Sequence, residues 1–331
     1  MRKICLLLSL MVLVLHAAAL GEAQLKKAAD GQAIYEAYTN VRFNIRAEPQ
    51  SSGKRVKAVE RGEKVSVYEL GGEWSMIAYD GEKGYCKTEW LFKFRSIAPY
   101  VAAVPGTIVQ AGIARVVTPV HAFVPGYKGN LLKENDVLCV LDLNKTTATL
   151  SMMRDTVQIP ASHLAFTPFV PWDKAQKGDV IGGFTTYYNE HTGGKKYAAN
   201  RQYNISLAAS RVHGTLVKAG EEFSYNRLCA PSTRANGYKL APNISRDGVG
   251  YGGGICQLST TLYNAVLGLP LQVTDWAVHR ERGVPYIKMG FDAAVGSYSD
   301  FAFVNTLPYG ICIEALPQNG VLTVLIRKNN G

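Results

Sequence analysis

Short segments of alternating apolar and polar residues follow one another from about residue 41 onwards. In residues 64–70, Val65 and Val67 alternate with Ser66 and Tyr68, which is the period-two pattern of a strand with one buried face. Turns rich in Gly and charged residues separate these segments, so we predict a small sheet of antiparallel strands that curls into a barrel. The predicted strands cover residues 41–45, 56–59, 64–70, 74–78 and 84–87.

A second strand-rich stretch, residues 98–170, weakly repeats the first. Residues 132–140 parallel residues 59–67, with a polar turn followed by an apolar strand in both. A repeat of about 70 residues predicts two tandem barrels, over 37–97 and 98–170. Two prolines and the polar run 173–179 then predict a boundary before a last domain, residues 178–331.

The last domain changes to helical periodicity. Ile205, Ala208, Ala209 and Val212 predict a helix over 201–213, and apolar residues at three- and four-residue steps predict another over 255–269, which Pro270 ends. Two helices followed by an antiparallel meander predict an α+β domain. The predicted strands cover 271–279, 284–290, 301–305, 310–315 and 321–327, with an Asn-Gly hairpin turn at 319–320.

A glycine-rich turn, residues 252–254, precedes Cys256 in the first turn of the second helix. Helix N-termini carry unpaired N–H groups and partial positive charge, which stabilise a thiolate. Gly253 and Gly254 lack side chains, so a carbonyl group can approach both the sulfur and the N–H groups that would hold an oxyanion. A buried structural thiol at a tight corner fits the same pattern equally well.

The first residues predict export. Arg2 and Lys3 precede an apolar run over 4–15 and a small-residue stretch that ends at Ala23, which is typical of a secretory signal peptide over 1–23. No later segment approaches the length of a membrane span. We therefore expect a secreted or cell-envelope protein with no integral membrane segment after cleavage.

The net charge of the chain indicates the class of its partner. The 331-residue chain has a formal charge of +10, which favours binding to anionic wall polymers. Its basic residues are scattered and form no nucleic-acid-binding motif, so we expect no nucleic acid as a partner.

Five cysteines follow Ala23, so an odd thiol remains, which we predict to be Cys256. Neither paired-cysteine metal spacing nor a phosphate-binding Gly-Lys-Ser occurs, and we predict no metal and no cofactor.

A thiolate requires a nearby acid and base, and His279 is the preferred candidate because it lies in a polar turn of the same domain. His213 and His191 are the alternatives. Asp292 or Asp300 could orient the imidazole as the third member of a triad. In the long loop 226–254, Arg234 could bind a peptide carboxylate or could be a solvated charge.

The segment Gly-Gly-Gly-Ile-Cys-Gln-Leu-Ser-Thr-Thr-Leu-Tyr-Asn-Ala, residues 252–265, resembles the signature of the VanW family. The resemblance continues through 201–205 and 219–226 upstream and through His279, Tyr286, 290–295 and 300–305 downstream. Arg280 stands where the family usually has Ser. The resemblance implies a cell-wall protein, some of whose relatives are cysteine L,D-transpeptidases, and it implies oxyanion- or substrate-binding roles for Gln257, Tyr286 and Asp300.

The first strand-rich unit resembles the bacterial SH3-like family. This resemblance is carried by Phe-Asn-Ile-Arg-Ala-Glu-Pro at 43–49, Arg-Gly-Glu-Lys-Val at 61–65 and Gly-Tyr at 84–85, and it implies that the unit holds wall peptides. A spacer barrel with Trp74 and Tyr79 in its core is the alternative. The expected architecture is mixed: one or two SH3-like β-barrels, then an α+β VanW-like domain. The expected function is acyl transfer between peptidoglycan stem peptides to form 3-3 cross-links. A peptidase or amidase acting on wall peptides and a non-catalytic peptidoglycan-binding protein are the alternatives.

Overall fold

A computed structural model describes residues 33, 35–69, 73–96, 111–122, 130–243, 248–279, 283–287, 290–318 and 320–330. The predicted signal peptide and residues 98–110 lie outside the described residues. The described part of the chain is rich in strands, with three α-helices. None of these helices is long and apolar enough to cross a membrane.

Seven strands form the first region, and their burial alternates as the sequence predicts. In the fourth strand Val65 and Val67 are buried, whereas Lys64 is exposed and Ser66 is half-buried. The inward-facing apolar residues, such as Ile45 and Ile77, build the core of this region. The strands are β1 (Tyr35–Thr39), β2 (Phe43–Arg46), β3 (Arg55–Val59), β4 (Lys64–Glu69), β5 (Trp74–Tyr79), β6 (Glu82–Lys87) and β7 (Leu91–Ser96).

The middle region consists of short strands in three small sheets. The sheet orders are β9 with β10, β11-β8-β15 and β12-β13-β14, so the described residues contain open sheets where a second closed barrel was predicted. Among the described residues, no hydrogen-bonded ladder joins these three sheets into the closed ring that a barrel requires. The strands are β8 (Gly112–Val116), β9 (Val120–Ala122), β10 (Asn130–Leu132), β11 (Val137–Val140), β12 (Asp142–Leu143), β13 (Thr147–Met152), β14 (Asp155–Pro160) and β15 (Leu164–Pro168).

The C-terminal region places its helices on a four-stranded sheet of order β16-β24-β23-β17. Apolar side chains of the third helix, including Leu258 and Leu262, are fully buried. The strands of the region are β16 (Val180–Tyr187), β17 (Thr215–Val217), β18 (Glu222–Ser224), β19 (Leu240–Pro242), β20 (Val249–Tyr251), β21 (Gln272–Asp275), β22 (Ala302–Val304), β23 (Gly310–Gln318) and β24 (Val321–Asn329). The helices are α1 (Gly194–Val212), α2 (Tyr225–Cys229) and α3 (Cys256–Leu267).

Two local predictions differ from this arrangement. The strand predicted over 271–279 ends at Asp275, because the chain then turns so that the Trp276 indole donates to the Asp292 carbonyl at 2.9 Å. Residues 284–287, predicted as part of a strand, are turn and irregular chain. The predicted hairpin does form, since β23 and β24 pair up to Gln318↔Val321.

The first region does not close into the predicted barrel. Its outer strand β7 pairs with β21 at Gln272↔Arg95, and β22 and β18 extend the sheet further. The result is an open ten-stranded sheet of order β18-β22-β21-β7-β1-β4-β5-β6-β2-β3. The edge that would close a barrel is therefore occupied by strands of the C-terminal region. Because that region contributes strands to the first sheet, the predicted α+β class describes it only loosely.

The middle and C-terminal regions are joined through threonine hydroxyls. Thr185 Oγ1 accepts the Cys139 amide at 2.7 Å and lies 2.8 Å from Thr323 Oγ1. Thr323 Oγ1 donates to the Val137 carbonyl at 2.7 Å. These hydrogen bonds satisfy backbone groups on the open edge of β11, which packs against β16 and β24.

Candidate active site

Cys256 is the first residue of α3, and two glycines with positive φ form the turn that delivers it. Gly252 has a φ of +77° and Gly254 a φ of +106°, a region that side-chain-bearing residues rarely adopt. The Ile255 amide donates to the Gly252 carbonyl and the Gln257 amide to the Gly254 carbonyl, both at 3.1 Å. This tight turn places the sulfur at the helix N-terminus, where the helix dipole favours negative charge.

Gly253, the middle residue of this turn, has to be a glycine because the neighbouring backbone packs closely against it. A Cβ on Gly253 would lie 2.4 Å from the Pro242 carbonyl oxygen and 2.5 Å from that of Ala241, so the backbone of β19 passes where a side chain would be. In the described part of the chain, the amides of Gly254 and Cys256 donate no hydrogen bond. These two amides therefore remain available as donors, whereas the Gln257 amide is already used.

His279 and Asp292 stand together beside Cys256. His279 Nδ1 lies 2.7 Å from Asp292 Oδ2, and the His279 backbone amide donates to the same oxygen at 2.6 Å. The imidazole side chain is 9% exposed and the carboxylate 1%. With Nδ1 engaged by Asp292, the other ring nitrogen is the one open to Cys256.

The electrostatics of this pair favour a charged imidazole. Burial by itself lowers the pKa of His279, but hydrogen bonds to Asp292 and to Cys256 outweigh it and raise that pKa to about 9. An imidazolium at neutral pH can donate to a thiolate on one side and to a carboxylate on the other.

Polar residues on one side of α3 hold the segment that carries Asp292. Ser259 Oγ donates to the Ala293 carbonyl at 2.7 Å, Thr260 Oγ1 accepts the Ala293 amide at 3.0 Å, and Asn264 Nδ2 donates to the Phe291 carbonyl at 2.8 Å. The cysteine and its neighbouring carboxylate are therefore fixed by the same helix. Cys256 Sγ also lies 3.5 Å from the Val295 carbonyl oxygen, a contact that suits the protonated thiol.

Arg201 is a site residue to which sequence analysis assigned no role. It lies in α1, is 8% exposed, and its Nη2 donates to Gln257 Oε1 at 2.7 Å. Gln257 Nε2 in turn donates to Thr186 Oγ1 at 3.1 Å. The glutamine side chain is thus a buried support for Arg201. A helical arginine with polar neighbours resembles any surface cation in sequence, so only the fold identifies it.

The remaining predicted site residues, Tyr286, Asp300 and Arg234, have different surroundings. Tyr286 is buried near Cys256, and burial raises its pKa well above the usual value. Asp300 accepts from Ser224 Oγ at 2.6 Å and from the Asn226 amide at 2.8 Å, so it caps the start of α2 rather than contacting His279. Arg234 is exposed on its loop.

The other histidine candidates have different surroundings. His213 is exposed at the end of α1, and its Nδ1 lies 3.1 Å from the Ala315 carbonyl oxygen. His191 is exposed in a turn.

All five described cysteines are free thiols, and three of them, Cys86, Cys139 and Cys229, are buried. Among the described residues, no group of three or more His, Cys, Asp or Glu side chains forms a candidate metal site.

Comparison with known families agrees with both resemblances. A family model described as VanW like protein matches residues 200–327, and one described as bacterial SH3 domain matches residues 39–92. An uncharacterized protein of Bacillus subtilis, YoaR, is 37% identical over 153 residues, covering 45% of this chain and 48% of that protein. The vancomycin B-type resistance protein VanW of Enterococcus faecalis is 33% identical over 101 residues, covering 30% of this chain and 37% of that protein. The matches thus span less than half of each relative.

Two solved structures show only remote likeness. An NlpC/P60 family protein from Bacillus cereus covers 40% of this chain and 56% of its own, at 10% identity and a TM-score of 0.16. NlpC2 from Trichomonas vaginalis covers 91% of this chain and 94% of its own, also at 10% identity and a TM-score of 0.16. Scores this low carry no structural conclusion.

Proposed function

We propose that this chain, which contains a VanW-like domain preceded by a bacterial SH3 domain, is an exported cysteine acyltransferase of the cell wall. The observation that carries the proposal is the grouping of Cys256, His279 and Asp292 at the N-terminus of α3. A thiol, a buried imidazole bonded to a carboxylate, and unused backbone donors are the parts that acyl transfer through a thioester requires.

In the first half-reaction the Cys256 thiolate attacks an amide carbonyl carbon of a wall peptide. The sulfur electron pair forms the C–S bond and the carbonyl oxygen becomes an oxyanion, which accepts hydrogen bonds from the Gly254 and Cys256 amides. His279, as imidazolium, then gives its proton to the departing amine as the C–N bond breaks. Asp292 holds the ring in the orientation that this transfer needs.

In the second half-reaction an amine attacks the thioester. His279, now neutral, accepts the proton of the attacking amine, the new C–N bond forms, and the Cys256 thiolate leaves. With an amine from a neighbouring peptide stem the product is a cross-link between stems. With water as the acceptor, the same steps would make the protein a peptidase.

The SH3 domain and the charge of the chain support a peptidoglycan substrate. A bacterial SH3 domain is consistent with binding to the cell wall, and the formal charge of +10 favours anionic wall polymers. Stem peptides of peptidoglycan supply both the amide carbonyl and the free amine that the two half-reactions consume.

The first experiment incubates the purified protein with peptidoglycan fragments that bear peptide stems and measures the products by mass. We expect linked stems, trapped thioester on Cys256, and loss of both in Cys256→Ala, since no other described cysteine lies beside His279. Cys312→Ala, which removes the other half-buried described thiol, is the matched control and should retain activity. Hydrolysed stems without linked products would instead indicate a peptidase.

The second candidate is a wall-binding protein without catalysis. It is favoured by the contact between Cys256 Sγ and the Val295 carbonyl, which suits an unreactive thiol. This candidate would replace the first if neither linked nor hydrolysed stems formed and Cys256→Ala bound peptidoglycan as well as the unmodified chain.

A further inference from the structure

Arg201 carries a buried positive charge that no acidic side chain neutralises among the described residues. Its Nη2 is bonded to the neutral Gln257, its guanidinium lies 5.3 Å from the centre of the Tyr188 ring, and its Nη1 is buried without a hydrogen-bond partner in the described part of the chain. Native proteins pair nearly all such donors, because a buried unpaired charge is costly. A compensating negative charge should therefore lie nearby.

The position of Arg201 points to Cys256. The Arg201 side chain packs on the turn before the cysteine, since a Cβ on Gly254 would lie 2.9 Å from Arg201 Cγ. Burial lowers the pKa of Arg201, and the electrostatic interaction with Cys256 is among those that oppose this decrease. The arginine is thus an electrostatic neighbour of the sulfur without bonding to it.

The charges around Cys256 can be counted. Arg201, His279, Tyr225 and Tyr286 are among the described titratable groups that interact with it. Burial raises the pKa of both tyrosines well above the usual value, so they stay neutral. The imidazolium of His279 is balanced by the Asp292 carboxylate. Among these groups, Arg201 is the one whose positive charge has no acidic partner in the described part of the chain, and a thiolate on Cys256 would balance it.

We propose that Arg201 is the positioning residue whose charge holds Cys256 as a thiolate. This inference rests on the proposed function, because it concerns the same nucleophile. Among the described residues, no hydrogen bond joins Arg201 to the Cys256 sulfur. Arg201 acts through the buried site, where the low dielectric makes an opposite charge effective at short range. When the sulfur electron pair forms the C–S bond, the negative charge moves to the carbonyl oxygen and remains within the field of the arginine.

The experiment measures alkylation of Cys256 by iodoacetamide from pH 5 to pH 10, resolved by mass for each cysteine, in Arg201→Gln and Arg201→Lys. The matched control is Arg211→Gln, on the same helix. The Arg211 guanidinium lies 5.0 Å from the centre of the Tyr238 ring, but its Nη2 donates to the Asn236 carbonyl at 2.7 Å and both of its terminal nitrogens are bonded.

In the unmodified chain, alkylation should stay fast well below the pH of about 8.5 at which free thiols ionise. Arg201→Gln should move the midpoint up by about one to two pH units, which lowers the rate near pH 6.5 about tenfold or more. Arg201→Lys should restore most of the original midpoint, because it keeps the charge. Arg211→Gln should leave the midpoint unchanged.

Gln257→Leu separates charge from structural support. It removes the Arg201 hydrogen-bond acceptor and keeps the positive charge, so the midpoint should stay low even if the melting temperature falls. If Arg201→Gln does not fold, Arg201→Met, which also removes the charge and keeps much of the side-chain volume, provides the test. An unshifted midpoint in the variant without the charge, or an equal shift in Gln257→Leu, overturns the inference and leaves the nucleophile. Slow alkylation of the unmodified chain at every pH overturns the proposed function itself.

Discussion

The first region and the C-terminal site use charged pairs in opposite ways. In the first region the pairs lie at the surface: the side chains of Arg42 and Glu60 are 71% and 63% exposed, and those of Lys64 and Glu36 are 55% and 30% exposed. In the site, His279 and Asp292 are 9% and 1% exposed. Water and salt screen the former pairs and scarcely reach the latter.

Exposed and buried ion pairs differ in the free energy that their formation costs. Exposed pairs contribute about 0–1 kcal/mol each and can change with little consequence. A buried pair loses hydration that its attraction only partly restores, so burial of an ion pair is weak evidence for stability and stronger evidence for a specific task. The two regions share one sheet, yet perturbations of their charges should differ greatly in effect.

The largest effect is expected from breaking the buried pair with Asp292→Asn. The change leaves the imidazole without its carboxylate, which should destabilise the fold by about 3–5 kcal/mol and lower acyl transfer by about 10³–10⁴-fold. Denaturant unfolding and product formation measure the two effects. Asp300→Asn is the matched control, since Asp300 caps α2; it should lose some stability and keep the pH dependence of Cys256 alkylation. Equal activity loss in both variants would contradict the role of Asp292.

The next effect is the pH dependence that His279 gives to stability. Its folded-state pKa is raised to about 9 from a usual value near 6.5, so its contribution is complete below about pH 6.5 and is lost as pH rises through about 9. The contribution is on the order of 3 kcal/mol. The difference in unfolding free energy between the unmodified chain and His279→Gln, measured from pH 6 to pH 10, should shrink as pH rises. A difference that grows with pH would show that the imidazole is buried neutral.

The smallest effect is expected at the surface pair. Arg42→Ala with Glu60→Ala, analysed as a double-mutant cycle, should give a coupling of about 0–1 kcal/mol that disappears in high salt. Acyl transfer should not change. A coupling as large as that of the buried pair would remove the contrast between the two regions.

Several features followed from the sequence. The alternation of Val65 and Val67 predicted a strand with one buried face, as observed. The apolar spacing before Pro270 predicted a helix over 255–269 with Cys256 in its first turn, and α3 spans Cys256–Leu267. The hairpin before Val321 also formed as its Asn-Gly turn predicted. These features depend on neighbouring residues, through backbone preferences and a period of two or of 3.6 residues.

Other features required the tertiary structure. From the sequence Asp292 and Asp300 were nearly equivalent, and the fold decided between them because Ser259, Thr260 and Asn264 hold the segment of Asp292 against α3. The prediction of a barrel also did not account for β21, which pairs with β7 and extends the first sheet. Which strand pairs with the edge of a sheet depends on how distant parts of the chain pack, so the local pattern of residues does not predict it.

The sequence by itself therefore determined the strand and helix periods, the glycine turn and the thiol at the start of a helix, since each is set within about one helical turn. Only the tertiary structure decided which groups surround that thiol. Arg201 and Gln257 are 56 positions apart in the chain and meet at 2.7 Å, and His279 meets Asp292 across 13 positions. The charge balance at Cys256 is a property of these distant contacts, because burial and proximity arise only when the helices pack.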